Sequence, residues 1–397
     1  MKNVLFINPN KDFFSNPTLV YLLKEFGKKG LQIHLVMPTQ SVELPESFSN
    51  IKHVKFNTFN LTWPKKIWKW LPIIRAYFKL ISYCKKNEIS TIIGVDPYGI
   101  IIAGRLKRFL KQTEIHYISF EIFFRDELKN FPKELIIKKK EINYSHKVST
   151  LIIQDEIRFN LLISENNLDV KKLKTYFIPV APEKSVLSLE EKTYWRTFYR
   201  EKLGIEDDEI VLLHSGSVAK WSGGELILDV LKRELPSKVK ILVHSKFPFN
   251  SSESIQNELL ELKEKGKSVI LHDNPFSDYQ SYLQFLQVAD FGLALYQHDD
   301  SSAFTGKNIE HIGLASGKFA TYMSQDLPTI VTFSENFEIL NQKYNFGCLI
   351  HNSDDFFSVL STIDKQIIDK STISELYENE LNPKNRVNLY LDSFYKN

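Results

Sequence analysis

Cysteine is nearly absent from this chain: two residues in 397, Cys84 and Cys348. They stand far apart and match no metal-ligand or redox spacing, so both read as reduced bystanders of the kind found in the cytosol. Long apolar runs are missing as well. No window approaches the roughly 18 uninterrupted apolar residues of a membrane-spanning helix. The opening MKNVLFINPNKD carries an apolar run of only four, too short for a signal peptide. No Gly-x-Gly-x-x-Gly follows the first strand-like segment, where INPNKDFFSN stands instead, and that argues against a bound dinucleotide. No Asp-x-Asp pair occurs, so neither a carboxylate-held metal nor another cofactor is expected. Fixed-period repeats and low-complexity segments are lacking too.

What is present is an ordinary globular composition, 43% apolar and 25% charged, on a chain too long for one core. Two domains are expected. The net charge of +3 conceals a split. Residues 1–180 hold 29 Lys and Arg against 16 Asp and Glu, a balance of +13, which leaves −10 for the remainder. Such a first half suits a polyanionic or membrane-facing role. No nucleic-acid-binding motif accompanies it, and no nucleic-acid partner is expected.

Both halves alternate strand and helix patterns. In the first, apolar runs at 4–7, 33–36, 91–95, 115–118, 151–153 and 176–180 are separated by helical stretches, one opened by Pro17 and ended near Gly30. After a connector at 181–209 with a helical run closed by Gly204, runs at 210–214, 239–243, 269–271 and 290–296 repeat the plan, and 328–332 adds a further strand. Strands of this kind imply parallel sheets covered on both faces, the α/β class. The boundaries are placed at 1–180 and 181–381, with a last helix over about 382–397. Ligands of such sheets gather at the carboxyl ends of strands. Asn8 and Asn10, Asp96 and Glu121 stand there in the first half. Glu121 can hold or deprotonate a substrate hydroxyl; Asp96 can do the same or simply cap the next helix. Asp155, Glu156 and Arg158 read as a helix cap with structural ion pairs.

The chain is organised around residues 301–333, SSAFTGKNIEHIGLASGKFATYMSQDLPTIVTF. Ser316 supplies a cap oxygen and Gly317 lets backbone approach a ligand at a helix start. Free N–H groups there suit a phosphate, and Lys318 adds a full charge; the plainer reading is a capped helix with a solvated lysine. A second strand-to-helix turn, Gly216-Ser217-Val-Ala-Lys220-Trp-Ser-Gly-Gly224, offers another phosphate cradle. Lys307 and Asn308 in the preceding TGKN segment, and Tyr296 and His298 past a strand, are further candidates for the same ligand, or are merely structural or solvated. Trp63, Trp68 and Trp70, interleaved with lysines and followed by a helix with Ile74, Phe78 and Ile81 on one face, resemble an interfacial anchor. The alternative is a core helix with a lysine-rich exposed side.

GLASGKFATYMSQDLPTIV resembles the donor-site segment of GT-B glycosyltransferases, closest to the retaining group numbered family four. The resemblance implies two Rossmann-like domains facing a central crevice, with the final helix crossing back onto the first. It implies a nucleotide-sugar donor on the second domain and a saccharide or lipid-linked acceptor on the first. Transfer with retention follows, without a metal, in surface-polysaccharide assembly at the cytoplasmic face of a membrane. Gly216, Ser217, Lys220, Ser316, Gly317, Lys318, Thr321 and Asn308 fall to the donor. In the family's phosphate loop an arginine stands where Ser217 is, and a lysine where Ser222 is. The group's two glutamates fall on Gly313 and Thr321, and both are missing; Glu310 and Glu335 are the nearby carboxylates that can substitute. That departure also fits a catalytically inactive protein serving as scaffold for another transferase.

Overall fold

The computed structural model describes residues 2–8, 16–37, 48, 51–55, 70–185 and 187–395. The chain divides into two compact units. The first spans Met1–Val180 and also takes in Ser302–Phe304 and Pro383–Asn397; the second spans Ala181–Ser301 and Thr305–Asn382.

The first unit holds strands β1 (Asn3–Ile7), β2 (Gln32–Met37), β3 (Lys52–Lys55), β4 (Ile89–Val95), β5 (Glu114–Ile118), β6 (Thr150–Ile153) and β7 (Lys174–Phe177). They pair in the order β3-β2-β1-β4-β5-β6-β7, all parallel. Between them run helices α1 (Pro17–Lys28), α2 (Trp70–Lys86), α3 (Asp96–Lys107), α4 (Pro132–Ser145) and α5 (Glu156–Asn166). Because successive side chains of a strand point to opposite faces, β1 feeds two cores. Leu5 and Ile7 enter one with Ile92 and Ile100, while Val4 and Phe6 enter the other with Phe26 and Ile93. All four are fully buried, which is why the segment reads as an unbroken apolar run.

The second unit contains helix α6 (Leu189–Leu203), then β8 (Ile210–Ser215), α7 (Gly224–Lys232), β9 (Val239–His244), α8 (Ser254–Glu264), β10 (Val269–His272), α9 (Tyr279–Leu286) and β11 (Phe291–Ala294). It continues with α10 (Lys307–Glu310), α11 (Gly317–Ser324), β12 (Thr329–Thr332), α12 (Glu335–Tyr344), β13 (Gly347–Ile350), α13 (Ser353–Ser361) and α14 (Lys370–Leu376). The strand order is β10-β9-β8-β11-β12-β13, again parallel throughout. The last helix, α15 (Pro383–Asp392), belongs to the first unit: Tyr390 hydrogen-bonds His116 Nδ1 at 2.8 Å, and Phe394 meets Phe26 edge-on at 5.4 Å.

Each sheet is α/β and doubly wound, as the alternation predicts. Two edge strands escape the sequence reading. β3 is four residues with lysine at both ends, and β13 opens on glycine and is only half buried. Short or polar edges are how sheets avoid pairing with strangers, and they leave little periodicity to read. The helix face assigned to Ile74, Phe78 and Ile81 is also corrected. Ile81 is 7% exposed and faces the core, whereas Phe78 is 60% exposed. Residues 78 and 81 lie only about 60° apart around a helix, so the edge of the buried stripe, with Ile73, Leu80 and Cys84 at its centre, falls between them.

Candidate functional site

Both sheets reverse their strand order once, between β1 and β4 and between β8 and β11, and a ligand site is expected at such switch points. In the second unit the local sequence builds one there. Ser316 adopts extended backbone and caps α11, its side chain accepting from Phe319 N at 3.0 Å. Behind the cap, Phe319 packs at 4.8 and 4.9 Å from Phe337 and Phe346, so the helix start is held from its buried side. The Tyr322 hydroxyl donates to Leu213 O at 3.0 Å and accepts from Ser215 N at 3.1 Å, fixing the end of β8 to the same helix. Tyr296, just beyond β11, completes the frame with a short hydroxyl contact to Ser316 Oγ.

Lys318 lies inside this frame. Its ammonium is 3.5 Å from His214 Nδ1 and 5.9 Å from the centroid of the Tyr296 ring. Among the described residues no carboxylate pairs with it. Burial of an uncompensated ammonium disfavours its charged form and lowers the Lys318 pKa to about 7. Gly216, at φ +130°, takes a conformation that other residues rarely adopt, and a Cβ there would sit 3.6 Å from Lys318 Cε. The two loops singled out in the sequence are thus brought together. The backbone N–H groups of Ser217, Val218, Gly317 and Lys318 have no partner among the described residues. A cation amid free N–H groups at a helix start is chemistry for a phosphorylated ligand.

Other sequence candidates fall elsewhere. Lys220 is exposed and pairs with Glu225 at 3.5 Å. Ser222 closes the loop internally, accepting from Ala219 N and donating to Ser217 O at 2.7 Å. Asn308 is buried on α10. His298 is held between Asp300 at 2.9 Å and Glu310 at 2.7 Å, and those hydrogen bonds raise its pKa. Together with Tyr296, Thr332 and Glu335 it lines a pocket of about 330 Å³. His214 went unread: a histidine inside an apolar strand carries no signal until its neighbours are known.

In the first unit Asp96 opens α3 in a left-handed conformation, φ +56°. It makes no helix cap. Its Oδ1 instead accepts from Phe120 N at 2.7 Å and Glu121 N at 3.0 Å, orienting the turn after β5. Arg158, fully buried, donates to Phe120 O and to Gln154 Oε1 at 2.6 and 2.9 Å. Asp155 does cap α5, accepting from Arg158 N at 2.9 Å. Burial and the neighbouring Asp96 charge push Glu121 up to about 8, against the pull of Arg158. Burial raises Asp96 to about 6, opposed by the two N–H groups it accepts. Two neighbouring carboxyls with separated titrations, one at the start of α3 and one on the turn after β5, suit acid–base work. Asn8 is buried just after β1, and Asn10 lies outside the described residues. So do Trp63 and Trp68 and the side chain of Trp70. Among the described residues no group of His, Cys, Asp or Glu is arranged to hold a metal ion.

No protein-family model matches the chain, and no curated protein matches it in sequence. Solved structures do match over its whole length. HepE of Anabaena in complex with UDP and glucose superposes with a TM-score of 0.73 at 11% identity, covering 100% of both chains. Sucrose-phosphate synthase of Thermosynechococcus elongatus gives 0.69 at 10% identity, covering 100% of this chain and 98% of that one. The lipopolysaccharide outer core galactosyltransferase WaaB gives 0.65 at 13% identity, with both chains fully covered. The fold is GT-B. Within it, the two positions where the resemblance places glutamates are built differently. Gly313 has φ +40°, and a Cβ there would come within 2.3 Å of Asn336 Nδ2, so this GT-B backbone has no room for a side chain. Thr321 is buried, and its hydroxyl donates to Gly317 O at 2.7 Å rather than standing free for a ribose.

Proposed function

We propose that this protein is a glycosyltransferase that moves a sugar from a nucleotide-diphosphate donor, bound by the second unit, to an acceptor held by the first. The observation that carries the reading is Lys318, an ammonium that among the described residues has no carboxylate partner, beside two loops that carry four N–H groups unpartnered among those residues, at the switch point of a GT-B sheet. In the transfer, the bond from the sugar's anomeric carbon to the diphosphate breaks and its electron pair leaves with the phosphate, where Lys318 and the α11 start offset the charge. For retention the acceptor oxygen bonds to the same carbon from the face the phosphate leaves, and its proton passes to Glu121, which Asp96 and Arg158 position. By resemblance the enzyme is a retaining one of the family-four kind. It works without a metal, and its acceptor is a saccharide or a lipid-linked sugar of surface-polysaccharide assembly. The complexes of HepE with UDP and with UDP-glucose make UDP the first donor nucleotide to test.

The test is thermal stabilisation by UDP, GDP, ADP and CMP compounds. A ligand at 100 times its Kd is expected to add about 2.7 kcal/mol to the stability. No shift with any of them would turn the reading toward an inactive scaffold.

The protein is further proposed to work at the inner face of a membrane as a peripheral protein. Within the described residues support comes from α2, which has no acidic residue and exposes Leu71, Ile74 and Phe78 beside Arg75 and Lys79. Phe109, 56% exposed, meets Phe78 at 6.5 Å. Apolar rings flanked by cations are what an anionic headgroup layer binds. Replacing Trp63, Trp68, Trp70 and Phe78 by serine is expected to release the protein from anionic vesicles without lowering its melting temperature. Core aromatics would instead cost about 3–5 kcal/mol each, so a lower melting point with sedimentation intact would refute the anchor. Among the described residues no helix is long and apolar enough to cross a membrane.

A further inference from the structure

His214, at the penultimate position of β8, reaches both phosphate-facing segments of the second unit. Its Nε2 lies 2.9 Å from Ser217 O, in the loop after β8. A carbonyl oxygen only accepts, so Nε2 carries the proton and Nδ1 presents its lone pair. That lone pair faces the Lys318 ammonium at 3.5 Å, from the start of α11. The ring is fully buried, so its orientation is fixed by packing as well as by the two polar contacts. We propose that His214 is a positioning residue for the donor site: by spending Nε2–H on the Ser217 carbonyl it keeps Nδ1 as an acceptor, and so aims Lys318 at the anion held by the two loops.

The inference rests on the donor reading above, and the chemistry around the ring supports it. Burial and the adjacent Lys318 charge hold the His214 pKa well below its ordinary value, with His244 adding in the same sense and the Ser217 carbonyl opposing. Among the described residues the groups acting on the pair from the surrounding elements are the Tyr296 ring after β11, the Gly216 backbone and His244 at the end of β9. No carboxylate is among them. A neutral imidazole is therefore the partner that leaves the lysine's charge unspent: a carboxylate in its place would hold Lys318 more firmly but would compete with a phosphate for the same cation.

The experiment measures binding of inorganic pyrophosphate, which needs no particular base, together with UDP and uridine, by calorimetry at pH 6.5. His214→Phe keeps a ring of similar shape and removes both polar contacts. It is expected to weaken pyrophosphate and UDP at least tenfold while leaving uridine binding unchanged. His214→Gln, with one donor and one acceptor, is expected to recover most of the loss. A purely structural ring would shift uridine and UDP together with the melting temperature, and that result would overturn the proposal. So would His214→Phe binding pyrophosphate like the wild type while Lys318→Ala has lost it, an outcome that leaves the donor reading standing. Wild-type affinity in Lys318→Ala, or no pyrophosphate binding by the wild type, would overturn the donor reading and the proposal with it.

Discussion

Lys318→Ala is expected to abolish sugar transfer and to weaken UDP about a hundredfold, with the melting temperature held or slightly raised. The binding loss follows from charge-assisted hydrogen bonds to a phosphate, worth about 1.5–3 kcal/mol. The stability argument runs the other way. Lys318 titrates near 7 in the folded chain against an ordinary value of 10.5. Between those two values the unfolded chain binds the proton and the native chain does not, so stability gained from this group rises with pH and is least below pH 7. Removing the side chain relieves that cost. Donor affinity has the opposite dependence, because the anion prefers the charged lysine. Wild-type affinity for UDP is therefore expected to fall about tenfold per pH unit as pH rises above 7, and the alanine variant loses this dependence. Calorimetric titrations of both proteins at pH 6, 7, 8 and 9 check the whole prediction. A pH-independent wild type would remove Lys318 from the site.

For Glu121→Gln the expected result is a fall in kcat of about 10²–10⁴ with UDP affinity unchanged, since the residue belongs to the other unit. The wild-type rate should climb as pH rises toward 8, where burial and Asp96 place the Glu121 titration, and then level off once the base is ionised. Asp96→Asn tests the cause. The amide oxygen still accepts from Phe120 N and Glu121 N, but the charge that helps raise Glu121 is gone, so the rising limb should move to lower pH. Initial rates measured across pH 5.5–9.5 with the donor saturating are sufficient. A limb that stays in place in Asp96→Asn would mean that burial alone sets the Glu121 titration.

The parallel sheets were legible in the sequence because their strands, buried on both faces, leave unbroken apolar runs such as Val4–Ile7 and Val211–Leu213. Helix ends were legible where a cap has its own chemistry: Ser316 before α11, and Gly204 closing α6 at φ +66°. These are local signals, carried by neighbours in the chain. The Ser316-Gly317-Lys318 start could be picked out on the same terms. Tertiary structure alone decided which groups surround it. His214 and Lys318 are 104 residues apart, and only the pairing of β8 with β11 brings the end of one strand beside the helix that precedes the next. The same holds for Gly313, where the left-handed backbone and Asn336 leave no space for the glutamate that the resemblance places there. Asp96 looked like a helix cap because it stands before a helix; the turn that places Phe120 N and Glu121 N against it comes from a strand 24 residues later. Periodicity and capping fix elements, because their energies act within a few residues. Protonation, pairing and free space are set by whatever the fold carries in from a distance.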